Sequence, residues 1–243
     1  MKAWGITDTG NVRAQNQDYY AITPLGDHAL LAVVCDGMGG AKSGNVASRL
    51  ACEVFTEEIQ RSYKKDMTAQ ETERVLRSAA SLANVSVYEQ SQLSEEFRGM
   101  GTTLVAVLLR EKEALVLNIG DSRAYYIDPD GVRCVTTDHS VVQYMVSRGE
   151  LTPEQAKYHP NKNLITRAIG PGNQVMADVF YLPVNIGDYF LLCSDGLSNQ
   201  MADQEILFEV AHGVRQDDCC QRLLDIAKER GAPDNVTCVL VEV

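Results

Sequence analysis

The chain has 243 residues, of which 45% are hydrophobic and 23% charged, with 22 basic against 33 acidic side chains for a formal charge of −11. That composition supports a substantial core and excludes global disorder, and the acidic balance argues against nucleic acid or an anionic membrane as a partner held by broad electrostatics. An N-terminus without an apolar stretch and no run near the roughly 20 apolar residues of a membrane span give the expectation of a cytoplasmic protein.

In chain order, the first strong signal is LLAVVCDGMGG at 30–40, an apolar run that meets an aspartate and a burst of glycine. Asp-Gly after such a run is a common hairpin signal, and a strand over 29–35 that stops at Asp36 is expected. Apolar positions at 46, 50, 51, 54, 55 and 59 have the spacing of a one-faced helix over 43–63, and a second helix is expected within 70–91. Short β-rich runs follow at 103–110, 114–119, 123–127, 179–182, 189–193 and 236–243. Helical stretches are expected at 203–213 and 217–229, the latter stopped by Gly231. Between them, 145–173 carries two prolines beside turn-forming residues and reads as a long irregular excursion, of a kind that often serves function. Two antiparallel sheets packed together, with helix pairs outside, would bury all these faces in an α+β, four-layer αββα sandwich over 1–243 as one domain.

Seven cysteines, at 35, 52, 134, 193, 219, 220 and 238, show neither a CxxC pair nor a zinc-ligand spacing. Buried thiols are expected rather than disulfides or a metal site.

Four aspartates share one setting. Asp36 ends LLAVVCDG, Asp121 ends LVLNIGDS, Asp195 ends YFLLCSDG, and Asp234 precedes the last strand. If those strands share a core, their carboxylates converge. Two bare carboxylates about 4 Å apart repel by around 4 kcal/mol at an effective dielectric near 20, so the cluster must take up protons or cations. Oxygen ligands without accompanying His or Cys point to Mg²⁺ or Mn²⁺. Asp18, in NVRAQNQDYY, joins the group with Arg13 five residues before it. An arginine beside carboxylates and cations suits a phosphate substrate, because its planar fork grips two non-bridging oxygens.

The ordered blocks RAQNQD (13–18), CDGMGG (35–40), GTTLVAVLL (101–109), NIGDSRAY (118–125), TTDHS (136–140), ITRAIG (165–170), LLCSDGLS (191–198) and APDNVT (232–237) resemble the metal-dependent protein phosphatases of the PP2C-like Ser/Thr family, in their compact bacterial form. The resemblance implies a binuclear Mn²⁺ or Mg²⁺ centre bridged by Asp36, with the Gly37 carbonyl, Asp18, Asp195 and Asp234 completing it. It further implies a third, weaker cation at Asp121 and Asp195, phosphate binding by Arg13, and Asn235 orienting its neighbour. The implied activity is hydrolysis of phosphoserine and phosphothreonine through in-line attack by a metal-bridging water. The segment 145–173 corresponds to the family's flap. Implied partners are phosphorylated proteins, a cognate Ser/Thr kinase and its substrates, acted on by a monomer.

Two positions depart from the family pattern. Animal relatives place a histidine after the DG, where this chain has Met38, which cannot donate a proton; a water at the third cation is the expected acid. Gln17 stands where many relatives have Glu. His139 and His159 are expected to be structural. Three rival readings remain: an inactive phosphoprotein-binding module of the same fold, a phosphatase dedicated to a phosphorylated anti-sigma antagonist, and a two-carboxylate glycosidase, which leaves Arg13 unexplained.

Overall fold

A computed structural model describes residues 1–39, 43–213 and 215–243; Gly40 of the CDGMGG block lies outside the described residues. The strands are β1 (Lys2–Asp8), β2 (Asp18–Pro24), β3 (Ala29–Met38), β4 (Gly101–Thr102), β5 (Leu104–Arg110), β6 (Glu113–Ile119), β7 (Arg123–Asp128), β8 (Gly131–Cys134), β9 (Asp178–Pro183), β10 (Tyr189–Cys193) and β11 (Val236–Glu242). The helices are α1 (Gly44–Ser62), α2 (Ala69–Ser91), α3 (Val141–Ser147), α4 (Pro153–Lys157), α5 (Asp195–Ser198), α6 (Asp203–His212) and α7 (Cys219–Glu229). One sheet runs β2-β3-β5-β6-β9, with β4 paired to β3 at its side; the other runs β1-β11-β10-β7-β8. Every pairing is antiparallel.

The strands are apolar throughout because both their faces are covered. In β3, Leu31, Val33 and Cys35 pack with α1 and α2, whereas Leu30, Ala32 and Val34 pack between the sheets. β5 alternates likewise, with Leu104, Ala106 and Leu108 toward the helices and Val105, Val107 and Leu109 inward. Across the sandwich, Leu191, Cys193, Cys238 and Leu240 meet α6 and α7, while Phe190, Leu192, Val239 and Val241 turn inward. Period-two alternation thus feeds three apolar layers between four structural ones, the expected αββα sandwich.

α2 begins where Thr68 and Glu71 form a reciprocal capping box, satisfying end groups that a helix otherwise leaves open. Gly231, at φ +105°, closes α7 as the sequence suggests.

Several expectations need correction. β3 does not stop at Asp36 but continues to Met38, because β4 and the Gln17 carbonyl pair with its last residues; the Asp-Gly dipeptide makes no turn. Strands β1, β2, β4 and β8 carry no strong apolar run. The first two are half-buried along most of their length, so a weak hydrophobic signal suffices for them. The excursion at 145–173 contains the end of α3 and all of α4, both with side-chain caps, and rejoins the body through backbone pairs Ser140↔Ile165 and Thr102↔Ile169. Six of the seven cysteines are buried, but Cys134 is exposed at the end of β8. No described helix is long and apolar enough to cross a membrane.

Candidate active site

The inward-facing rows of both sheets change character at one end of the sandwich. In β3 the row Leu30, Ala32, Val34 is continued by Asp36, and in β2 the row of Ile22 and Tyr20 is continued by Asp18. Asp18 and Asp36 lie directly opposite each other in the β2–β3 register. From the other sheet, Ser194 and Thr237 extend the inward rows of β10 and β11. Ser194 Oγ donates to Asp18 Oδ2 at 2.7 Å and accepts from the Thr237 amide at 3.0 Å. The apolar layer therefore ends in a polar seam shared by the two sheets.

Beyond that seam opens a cleft of about 520 Å³, lined among others by Arg13, Gln17, Asp36, Gly37, Asp121, Asp195 and Asp234. Asp195 begins α5 and accepts from Asn199 Nδ2 at 3.1 Å, while Asp121 sits on the β6–β7 connection. Arg13 donates through Nη2 to Asp234 Oδ2 at 2.7 Å. The five aspartates and the arginine expected from sequence thus converge, with Asp18 just beneath the cleft floor, 6% exposed.

The backbone around the cleft is packed closely enough to require glycine. A Cβ on Gly37 would lie 2.1 Å from the Gly44 carbonyl and 2.6 Å from the Gln17 carbonyl. One on Gly196 would lie 1.9 Å from the Asn235 carbonyl. These residues lack a side chain because neighbouring main chain occupies its place.

Three supporting residues escape a reading based on strand ends. Thr103 Oγ1 accepts from the Asp36 amide at 2.9 Å and shares a 2.7 Å hydrogen bond with Ser122 Oγ, tying the Asp36 and Asp121 segments together. His139 Nδ1 accepts from the Gly120 amide at 3.1 Å, which places the ring proton on Nε2, 3.0 Å from Asp178 Oδ2. His139 thus holds in place Gly120, the residue before Asp121. Asn163 and Ile165 bring the excursion to the cleft rim. Thr103, Ser122 and His139 fall inside quoted motif blocks, and that was their only signal, because hydroxyls and a buried imidazole look alike whether they support a site or a loop.

Electrostatics follow from crowding. Burial first, with the charges of Asp195 and Asp234 added, pushes Asp18 up to about 7 against the opposing pull of the Thr237 and Ser194 hydroxyls. Burial and the same kind of repulsion hold Asp36 well above the usual carboxylate range. Asp121 is pushed up to about 7 and Asp195 to about 6, again chiefly by burial. Asp18 Oδ1 is buried without a hydrogen-bond partner. An orphaned carboxylate oxygen among repelling carboxylates is a donor set that fits a hard divalent cation. Among the described residues no three acidic, His or Cys side chains already approach closely enough to grip one ion, which accords with carboxylates that repel one another.

These shifts make the metal-free fold sensitive to pH. Each raised carboxyl keeps its proton in the folded chain after the unfolded chain has released it near pH 3.8, so its contribution is intact below that pH and lost as pH rises through 6 to 7. The metal-stripped protein is expected to melt about 5 °C or more lower at pH 8 than at pH 5.5. Mn²⁺ should recover the difference at pH 8. A melting temperature that is flat or rises over this interval would show that the carboxyls do not share one desolvated cleft.

Residues 11–240 match the family model described as protein phosphatase 2C. The chain is 34% identical over 243 residues to a serine/threonine phosphatase, stp, from Listeria innocua, covering 100% of this chain and 96% of the relative. It superposes on the crystal structure of the serine/threonine phosphatase Stp1 from Staphylococcus aureus with a TM-score of 0.93 at 36% identity, covering 100% of this chain and 94% of that one. The catalytic domain of the serine/threonine protein phosphatase PstP, solved in complex with two manganese ions, gives a TM-score of 0.85 at 32% identity, with 99% and 97% covered. With the sandwich, the carboxylate seam and the match over nearly its whole length in agreement, the chain belongs to the protein phosphatase 2C family.

Proposed function

We propose that this chain is a metal-dependent serine/threonine protein phosphatase, hydrolysing phosphoserine and phosphothreonine in proteins phosphorylated by a cognate kinase. The observation that carries the reading is the meeting of Asp36, Asp121, Asp195, Asp234 and Arg13 around one open cleft above Asp18. Asp18, Asp36, the Gly37 carbonyl, Asp195 and Asp234 would hold two Mn²⁺ or Mg²⁺ ions, with Asp121 and Asp195 holding a weaker third. When bound, such ions supply an activated water and neutralise phosphate charge.

The chain's own residues do the rest. Arg13 commits one N–H to Asp234 and leaves the remainder of its five-donor fork for the non-bridging oxygens, orienting phosphorus above Asp36. Asp234 restrains that guanidinium and holds it fully charged. Asn235, through Gln15 and Gln17, fixes the loop on which Arg13 rides. Among the described residues no cysteine lines the cleft, so a thiolate nucleophile has no place in this reaction. The full set of carboxylates also favours turnover over an inert binding module, and a glycosidase would leave Arg13 idle.

The test is hydrolysis of p-nitrophenyl phosphate and a phosphothreonine peptide by metal-stripped protein, titrated with Mn²⁺ and then Mg²⁺. Turnover of both substrates should appear only with added metal and fall to background on chelation. Tight metal binding without turnover of either substrate would instead favour the inert binding module.

A further inference from the structure

A second hollow, of about 410 Å³, lies beside the carboxylate cleft. Met38 and Ile165 line both, so the two form one continuous surface. Its remaining wall comes from a single stretch between Thr166 and Met176, with Ala168, Pro171, Val175 and Met176 as its apolar members and Thr166, Arg167 and Gln174 as its polar ones. Met176 is 73% exposed.

This wall is held in place before any ligand arrives. Asn84, buried on α2, accepts from the Gly170 amide at 2.8 Å and donates to the Gly172 carbonyl at 2.9 Å. Ile169 exchanges both backbone hydrogen bonds with Thr102, at 2.8 and 3.0 Å. Arg167 is tied to Asp178 at 2.8 Å. A buried amide satisfied at both ends and a two-bond backbone bridge set the groove's shape, so little ordering remains to be done on binding.

We propose that this groove receives an apolar side chain flanking the phosphorylated residue, so that the enzyme selects phosphosites with a neighbour of leucine or methionine size. The proposal rests on the phosphatase reading of the adjoining cleft. Continuity with that cleft identifies the occupant: a peptide whose phosphate lies against Arg13 passes Met38, and an extended chain advances only about 3.3 Å per residue, so a near neighbour of the phosphoresidue falls into the groove. A carboxylate is disfavoured there, because Pro171, Val175 and Met176 offer nothing to replace its hydration and the Arg167 guanidinium that also lines the groove is already paired with Asp178.

The experiment uses phosphothreonine peptides that differ only in carrying Leu or Asp at the two residues on either side, with p-nitrophenyl phosphate as a substrate that has no neighbours. The wild-type protein should favour the best Leu peptide over its Asp counterpart by about tenfold in kcat/KM. Met176→Asp should bring that ratio close to unity and Met176→Ala should lower it partway, with p-nitrophenyl phosphate turnover held within about twofold in both variants. Equal wild-type rates on Leu and Asp peptides at every position would overturn the proposal, as would a ratio unmoved by Met176→Asp. Failure of the wild type on p-nitrophenyl phosphate as well as on every peptide would instead overturn the phosphatase reading itself.

Discussion

Asp36→Asn is expected to lower kcat/KM at least about 10³-fold on p-nitrophenyl phosphate and on phosphothreonine peptides alike, while making the metal-free protein more stable. The two effects have one cause. Asp36 lies where burial and the charges of Asp18, Asp195, Asp121 and Asp234 all oppose ionisation, so a neutral amide of the same shape relieves the metal-free fold. The same amide removes the charge at the centre of the proposed cation site, and the loss of electrostatic stabilisation should match or exceed that of a single oxyanion donor, about 10²–10³. A gain of about 0.5–2 kcal/mol, the range of single stabilising substitutions, is expected, or a few degrees in Tm for a chain of this length. Thermal melts in chelator, together with steady-state kinetics in Mn²⁺, measure both. A variant that is inactive and destabilised would place Asp36 in the structural frame rather than in the site.

The second large effect concerns a residue that touches no substrate. Asn235 is 5% exposed, and its amide clamps three points of the β1–β2 loop: Nδ2 donates to the Thr9 carbonyl at 2.9 Å and to the Gln15 carbonyl at 3.0 Å, while Oδ1 accepts from the Gln17 amide at 2.8 Å. Its own amide donates to Asp234 Oδ1 at 2.8 Å. Asn235→Ala strands two carbonyls and one N–H in a water-poor place, at about 1–3 kcal/mol for each group left unpaired, and frees the loop carrying Arg13. A loss of about 3 kcal/mol and a fall of about 10²-fold in kcat/KM are expected. Asn235→Asp should not rescue either, because a carboxylate has no N–H to give and would face two carbonyl oxygens. Denaturant melts and kinetics on the two variants decide this; a fully active Asn235→Asp would refute the three-way clamp.

The parts of this protein legible from sequence share a physical reason. β3, β5, β6, β10 and β11 are covered on both faces, so their uninterrupted apolar runs are conspicuous, and α1 and α2 are long enough for periodicity to declare itself. β1 and β2 are only half-buried and α4 spans five residues, so their signals stay below what pattern can resolve. The carboxylates stood out because an aspartate is costly at the end of a buried row. Thr103, Ser122 and Ser194 did not, because a hydroxyl costs little in any turn, and only the fold shows which of them faces a carboxylate. β3 ran past its expected end because its last residues find partners far away, in β4 and at Gln17, which no local window contains.

The pairing of β1 with β11, in register from Lys2↔Glu242 to Asp8↔Val236, also sets when activity can first appear. Arg13 and Asp18 are made some 220 residues before Asp234, Asn235 and Thr237. A chain growing on the ribosome can therefore assemble α1, α2 and the sheet of β2, β3, β5 and β6 while its site still lacks one wall. Closing so wide a sequence gap is slow compared with local folding. The phosphatase should become competent only when β11 docks, and release of that strand would silence it while also uncovering the inward face of the first sheet.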